Sequence, residues 1–164
     1  MNPYTGLREQ VIKLDKPPLL TGPDGRPFAT WGVLMELGLA DGTITVVSIG
    51  DGTTSLYTSS GGGVLAAGQR PGPATASRNL VISVERQLDD FAPVVDVPLP
   101  KPGIVAFVAL THEGPRLVES TPREMNATEH PLHGLWISAN AVLNEVRLVN
   151  EAPPGPGQPG TPPA

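Results

Sequence analysis

Two histidines three residues apart are the residues of this chain whose type and spacing come nearest to a metal site. His130 and His133 stand at the start of the last predicted helix, and Glu129 lies beside them. Residues i and i+3 share a helix face, so both imidazoles could hold one ion together with a carboxylate or with His112 and Glu113. The stronger zinc pattern, His-Glu-x-x-His, has a different spacing. We therefore favour helix-start and surface histidines, and we predict no metal.

Three consecutive glycines suggest a second kind of chemistry. Gly61–Gly63 and the three residues after them formally fit a dinucleotide-binding fingerprint, which needs a helix to begin at the glycines. Pro71 and Pro73 interrupt that helix too soon, so we favour a bulge or loop with permissive backbone. Small polar residues of the hairpin 53–60 stand next to this loop, and such backbone can approach an anion closely. A small-ligand or anion-binding domain, or a small enzyme, that uses Gly61, Gly62 and Gly63 is therefore our alternative function.

Patterns typical of catalytic nucleophiles are missing from the sequence. There is no Gly-Lys-Ser/Thr phosphate loop and no Gly-x-Ser-x-Gly elbow, and no histidine stands beside Ser55, Ser59 or Ser60 in sequence. Asp89 and Asp90 are adjacent on a predicted helix, so they point in different directions and do not form an acid–base pair. The chain has no cysteine, which excludes thiolate chemistry and disulfides. We predict no cofactor and lean towards a protein that is not an enzyme.

Charge and hydropathy exclude two classes of partner. The net charge is −5 and no cluster of Lys and Arg occurs, which argues against nucleic acid and against an anionic membrane surface. The longest apolar stretch is 104–110, far shorter than the ~20 residues of a membrane span. The first ten residues lack the basic and apolar regions of a secretory signal. We therefore expect a cytoplasmic protein.

The chain divides into three parts. Its length of 164 residues, with 39% hydrophobic and 16% charged residues, fits one folded domain. Residues 1–26 are rich in turn-forming residues and are expected to be irregular. Residues 27–150 are expected to form a single α/β domain. Residues 151–164 carry Pro and Gly without a large apolar side chain and predict a disordered tail.

Within the domain, hydrophobic periodicity predicts the order helix, two strands, helix, three strands, helix. Leu80, Val84 and Leu88 recur every four residues, and the turn 50–52 between β-branched runs is typical of a hairpin. This pattern predicts a mainly five-stranded antiparallel sheet packed with two long helices and one short helix. Helices are predicted at 28–37, 74–91 and 131–149, and strands at 43–49, 53–59, 94–97, 104–111 and 116–120.

This order of elements resembles the roadblock family, within the longin and profilin-like architecture. The resemblance rests on the hairpin 43–59 with its Gly-Asp-Gly turn and on the helices 74–91 and 131–149, and it covers roughly residues 28–149. It is a resemblance of layout. Roadblock proteins are small non-catalytic modules that dimerise, and many of them are scaffolds or regulators of small GTPases. The resemblance thus implies a protein partner or a homodimer.

The residues that we expect to make such contacts lie on a short strand and on the hairpin. Val94, Val95 and Val97 are predicted to form an exposed edge strand, and exposed edges commonly pair with another chain. Tyr57 lies on the hairpin and is expected to be exposed to a partner. The sequence therefore predicts a non-catalytic interaction or scaffolding module that self-associates.

Overall fold

The protein is an α+β structure with one antiparallel sheet and helices on both of its faces. The computed structural model describes residues 3–14, 20–64 and 67–151, so the predicted tail lies outside the described residues from residue 152 onward. The described chain contains four α-helices and seven strands, and their bounds are α1 Pro3–Ile12, β1 Thr30–Leu39, β2 Gly42–Ile49, β3 Thr54–Thr58, β4 Gly63–Val64, α2 Pro71–Arg86, β5 Ala92–Pro93, β6 Val105–Thr111, β7 Gly114–Ser120, α3 Pro122–Met125 and α4 His133–Glu151.

The sheet has the strand order β4-β3-β2-β1-β6-β7-β5. The predicted hairpin of β2 and β3 is confirmed, with Val46 opposite Leu56. In its turn, the Asp51 carboxylate accepts the Thr53 N–H at 2.8 Å, and Gly52 has φ of 99°. The two halves of the sheet meet where β1 pairs with β6, with Met35 opposite Phe107.

Both faces of the sheet are covered by helices. We call the two sides the helix-pair face, which α2 and α4 cover together, and the α1 face, which α1 covers. The helix-pair face packs sheet residues such as Met35 and Phe107 against α2 and α4. The α1 face packs Leu34 and Val108 against Tyr4 of α1. Alternate residues of one strand therefore enter two different cores.

The predicted helix at 28–37 is wrong, because this segment forms the central strand β1. Trp31, Leu34, Met35 and Leu37 fit a helical stripe in the sequence. In the structure, Met35 and Leu34 pack on opposite faces of the sheet. A strand that is buried on both faces is apolar at nearly every position and has no period of its own.

The expectation of an irregular segment at 1–26 is also wrong for residues 3–12, which form α1. Tyr4, Leu7 and Val11 lie one and two turns apart and pack on the α1 face. Pro3 occupies the first turn, where its missing N–H does no harm. This helix is one of the elements that build the candidate site.

The predicted strand at 94–97 is wrong as well. The short strand of this region is β5, at Ala92–Pro93, and it pairs with Leu117 and Arg116 of β7. Three long strands therefore precede α2 and two long strands follow it. The sequence predicted two strands before this helix and three strands after it. Seven strands replace the predicted five because the strand at 94–97 does not form, while β1 and the two-residue strands β4 and β5 were not predicted.

The two long helices were correctly predicted to be helices, but their first and last residues differ from the prediction. α2 begins at Pro71 rather than at residue 74 and ends at Arg86, and a short 3-10 helix covers 88–90. α4 begins at His133, two residues after the predicted start, and continues to Glu151.

Candidate functional site

The glycine loop, residues 61–63, connects β3 to β4 in a backbone conformation that glycine favours. The φ angles of Gly61, Gly62 and Gly63 are 94°, 108° and 145°. The Thr58 N–H donates to the Gly62 carbonyl at 3.2 Å, and the Thr58 hydroxyl donates to the Gly61 carbonyl at 3.0 Å. The predicted permissive loop is thus confirmed. No helix begins at the glycines, since Gly63 belongs to β4 and α2 starts at Pro71.

Two cavities flank the glycine loop. On the α1 face, a cavity of about 320 Å³ lies between α1 and β3, with Tyr4, Leu7 and Tyr57 among its lining residues. On the helix-pair face, a wider cavity of about 520 Å³ lies against α4, with Leu143 among its lining residues. The loop predicted as a ligand-binding element therefore does lie beside space that a small molecule could enter.

Tyr57 is buried, so its expected exposure to a partner is wrong. Its exposed fraction is 8%, and its ring packs in the core of the α1 face. Tyr57 is buried because α1 covers this face of the sheet, where the sequence predicted no helix. The structure brings Tyr57 and the glycine loop together in the 320 Å³ cavity. The Tyr57 hydroxyl makes no hydrogen bond to any residue that the structure describes.

A buried ion pair that was not predicted from the sequence fixes α1 on the sheet. Arg8 of α1 donates from Nε to Glu36 Oε1 at 2.7 Å and from Nη2 to Glu36 Oε2 at 2.9 Å. The side chain of Glu36 is fully buried. Burial alone would lower the pKa of Arg8, but the hydrogen bonds and the charge of Glu36 raise it above its ordinary value.

Hydroxyl groups extend this ion pair towards the cavity. The Thr45 hydroxyl donates to Glu36 Oε1 at 2.9 Å, so the Tyr4 hydroxyl donates in turn to Thr45 Oγ1 at 2.7 Å. Burial raises the pKa of Tyr4, and the hydrogen bond to Thr45 opposes that rise only in part. The network holds α1 in register over β1 and β2.

A charged residue inside an apolar run was the signal that could have revealed this pair. Glu36 interrupts the run 31–37, and a buried carboxylate requires a counter-charge. Because a helix was predicted at 28–37, Glu36 was able to point into water in that prediction. No counter-charge for its carboxylate was therefore expected.

The segment 94–99, which we call the apolar loop, leads from β5 across the α1 face. Val95 is 94% exposed and Leu99 is 53% exposed, whereas Val97 packs into the core of the α1 face. The Val94 N–H donates to the Pro115 carbonyl at 3.1 Å. Arg8 Nη2 donates to the carbonyls of Val97 and Pro98 at 3.2 and 3.3 Å. The backbone is therefore held at several points while two apolar side chains face outward.

The two histidines make local hydrogen bonds at the start of α4, the position that the sequence predicted for them. His130 Nδ1 accepts the Leu132 N–H at 3.1 Å, and His133 Nδ1 donates to the Met125 carbonyl at 2.8 Å. Within residues 3–14, 20–64 and 67–151, no group of three or more acidic or histidine side chains is arranged to hold a metal ion.

Comparison with known proteins found no relative of this chain. No protein-family model, no curated protein and no solved structure matches this chain. Among the helices of the described residues, none has the length and apolar character needed to cross a membrane.

Proposed function

We propose that this protein is a non-catalytic interaction module that self-associates through the apolar loop. The observation that carries the proposal is the exposure of Val95 and Leu99, 94% and 53%, on a segment whose backbone is fixed. Exposed apolar side chains gain free energy when a partner removes them from water.

The fixed backbone makes this segment a favourable binding element. Pro98 within the loop and Pro93 and Pro100 on either side of it restrict φ, and hydrogen bonds to the Pro115 carbonyl and from Arg8 hold the loop on the domain. A segment that is already ordered loses little conformational entropy on association. A flexible segment of the same composition would not have this advantage.

The position of the apolar loop beside a sheet edge favours a second copy of the chain as the partner. The loop continues directly from β5, the last strand of the sheet, which has only two residues. A two-residue strand that ends in proline is poorly suited to strand pairing between chains, so we expect the two copies to meet through the exposed side chains of the loop. Two copies related by a twofold axis would bring the same loop to the interface from both sides.

The roadblock resemblance stays a prediction and supports the same class of function. It implies a dimeric scaffold and adds a small GTPase as a candidate partner. A GTPase would be tested after the oligomeric state is known, because in this proposal the dimer creates the surface that such a partner would bind.

Light scattering across a concentration series tests the proposal. We expect the full chain to form a dimer, and the double variant Val95→Asp/Leu99→Asp to be a monomer at the same concentrations. Ile137→Asp is the matched control, since Ile137 is 56% exposed on α4, on the other side of the sheet. A chain that stays monomeric at the highest attainable concentration contradicts self-association. Dissociation by Ile137→Asp alone would move the interface to α4 and overturn the role of the apolar loop.

A further inference from the structure

We infer that the cavity of about 320 Å³ between α1 and the glycine loop binds a small neutral aromatic molecule that hydrogen-bonds to Tyr57. The site shares no residue with the apolar loop, so the inference goes beyond the interaction module proposed above. It also gives a specific form to the ligand-binding alternative that the glycines suggest.

The size and walls of the cavity fit one small ring system. Pockets that bind small molecules span about 300–1,000 Å³, and this cavity is at the lower end of that range. Two tyrosine rings, Tyr4 and Tyr57, and the side chain of Leu7 form its walls. Aromatic rings pack favourably against a flat ligand in offset or edge-to-face arrangements.

No charged side chain lines the cavity among the residues that the structure describes. The nearest polar groups on its walls are hydroxyls and the backbone of the glycine loop. An ionised ligand would lose its hydration without gaining a counter-charge, which is costly. The occupant is therefore neutral, which separates this inference from a phosphate or dinucleotide site.

Among the described residues that line the cavity, Tyr57 supplies the side-chain hydroxyl that has no partner. Tyr57 is 8% exposed and makes no hydrogen bond to a described residue, whereas the hydroxyl of Tyr4 already donates to Thr45. The Tyr57 hydroxyl is not fully buried, so a ligand in the cavity can take the place of water as its hydrogen-bond partner. The ligand therefore carries a hydroxyl, ring N–H or carbonyl group.

The glycine loop keeps the cavity open. A Cβ atom at Gly61 would meet nothing within 4 Å, and one at Gly62 would meet only the Thr58 hydroxyl, at 3.9 Å. Packing alone would thus admit a side chain at both positions. Their positive φ angles disfavour one, so the wall consists of bare backbone that a flat molecule can approach closely.

Titration with phenol and indole, followed by the backbone amide resonances of the full chain, tests the inference. We expect saturable shifts at Gly61, Gly62 and Leu7. Tyr57→Phe should weaken phenol binding about three- to tenfold, because it removes one hydrogen bond and keeps the ring. Ser83→Ala is the control: it removes a hydroxyl on α2, outside the cavity, and should leave the phenol affinity within about twofold.

Several outcomes would overturn the inference. Absence of shifts at Gly61 and Gly62 at any attainable phenol or indole concentration would do so, as would equal phenol affinity of Tyr57→Phe and the unchanged chain. Pyrophosphate that shifts the glycine amides at lower concentration than phenol would replace the neutral site with an anion site. Shifts confined to Leu143 and its neighbours would place the ligand in the other cavity.

Discussion

Arg8 on α1 is the counter-ion of Glu36 on the central strand β1, with Nε and Oε1 2.7 Å apart. Glu36 is flanked in the sheet by Thr45 on β2 and Ala106 on β6, so its carboxylate lies far from both sheet edges. The pair therefore connects the N-terminal helix to the centre of the domain. It also fixes the apolar loop, because Arg8 donates to two of its carbonyls.

Removing one partner of this pair should destabilise the protein strongly. We expect Glu36→Ala to lower the free energy of unfolding by about 3–5 kcal/mol, because it leaves the Arg8 charge buried without a partner. The double variant Arg8→Met/Glu36→Leu should lose much less, since no charge stays buried. Urea denaturation measures both.

An exposed ion pair provides the control for this experiment. Arg147 and Glu151 form such a pair on α4. Arg147→Ala breaks it and should cost no more than about 1 kcal/mol, because exposed pairs contribute little to stability. Equal losses in Glu36→Ala and the double variant would contradict the explanation from an unpaired buried charge.

The raised pKa of Tyr4 predicts a loss of stability at alkaline pH. The folded state retains the Tyr4 proton more strongly than the unfolded chain, in which the pKa is about 10. The stabilisation from this group is complete below pH ~10 and is lost as the pH rises through the higher pKa of the folded state. We expect the urea midpoint to fall as the pH rises above about 10, and to fall less steeply in Tyr4→Phe. The same slope in both proteins would assign the effect to other groups.

A chain of buried hydroxyls between α2 and the sheet should be sensitive to one substitution. Ser77 donates to Ser48 Oγ at 2.9 Å and lies 2.6 Å from Thr54 Oγ1. All three residues are buried. Ser77→Ala should cost about 1–3 kcal/mol, because Ser48 and Thr54 then lose a partner. Ser83→Ala, less than two turns further along α2 and less buried, should cost clearly less. Thermal unfolding of the two variants compares them directly, and equal melting temperatures would be evidence against the hydroxyl chain.

Two glycines should respond to alanine with opposite signs. A Cβ at Gly38 on β1 would overlap the Lys101 carbonyl, so Gly38→Ala should destabilise the protein by about 1–3 kcal/mol. A Cβ at Gly6 within α1 meets nothing within 4 Å. Gly6→Ala should therefore stabilise the protein by about 0.4–1 kcal/mol through the unfolded chain. Chemical denaturation gives both values. A destabilising Gly6→Ala would indicate that α1 is not helical there.

Elements with a clear period or turn were predictable from the sequence. The β2–β3 hairpin, β6, α2 and α4 follow from β-branched runs, the turn 50–52 and apolar stripes at helical spacing. These signals are local, and the folded environment reinforces them.

Elements that depend on distant contacts were not predictable in the same way. β1 is buried on both faces, so its apolar residues fit a helix equally well. α1 gains its stability by docking, since its stripe of Tyr4, Leu7 and Val11 is short and is interrupted by Arg8. Of the candidate site, the glycine loop was anticipated. The burial of Tyr57 was not, because it results from a helix that contacts β3 from far away in the sequence.

The pairing of β1 with β6 has a consequence for how the chain folds. The strands β1, β2 and β3 are joined by short turns, and so are β6 and β7, whereas the β1–β6 seam closes a loop that contains α2. Closing a long loop costs chain entropy before the new contacts can compensate for it. We expect two locally assembled halves to form early and their union along this seam to limit the refolding rate. Phe107→Ala, in the seam, should therefore slow refolding more than a substitution in the turn between β6 and β7.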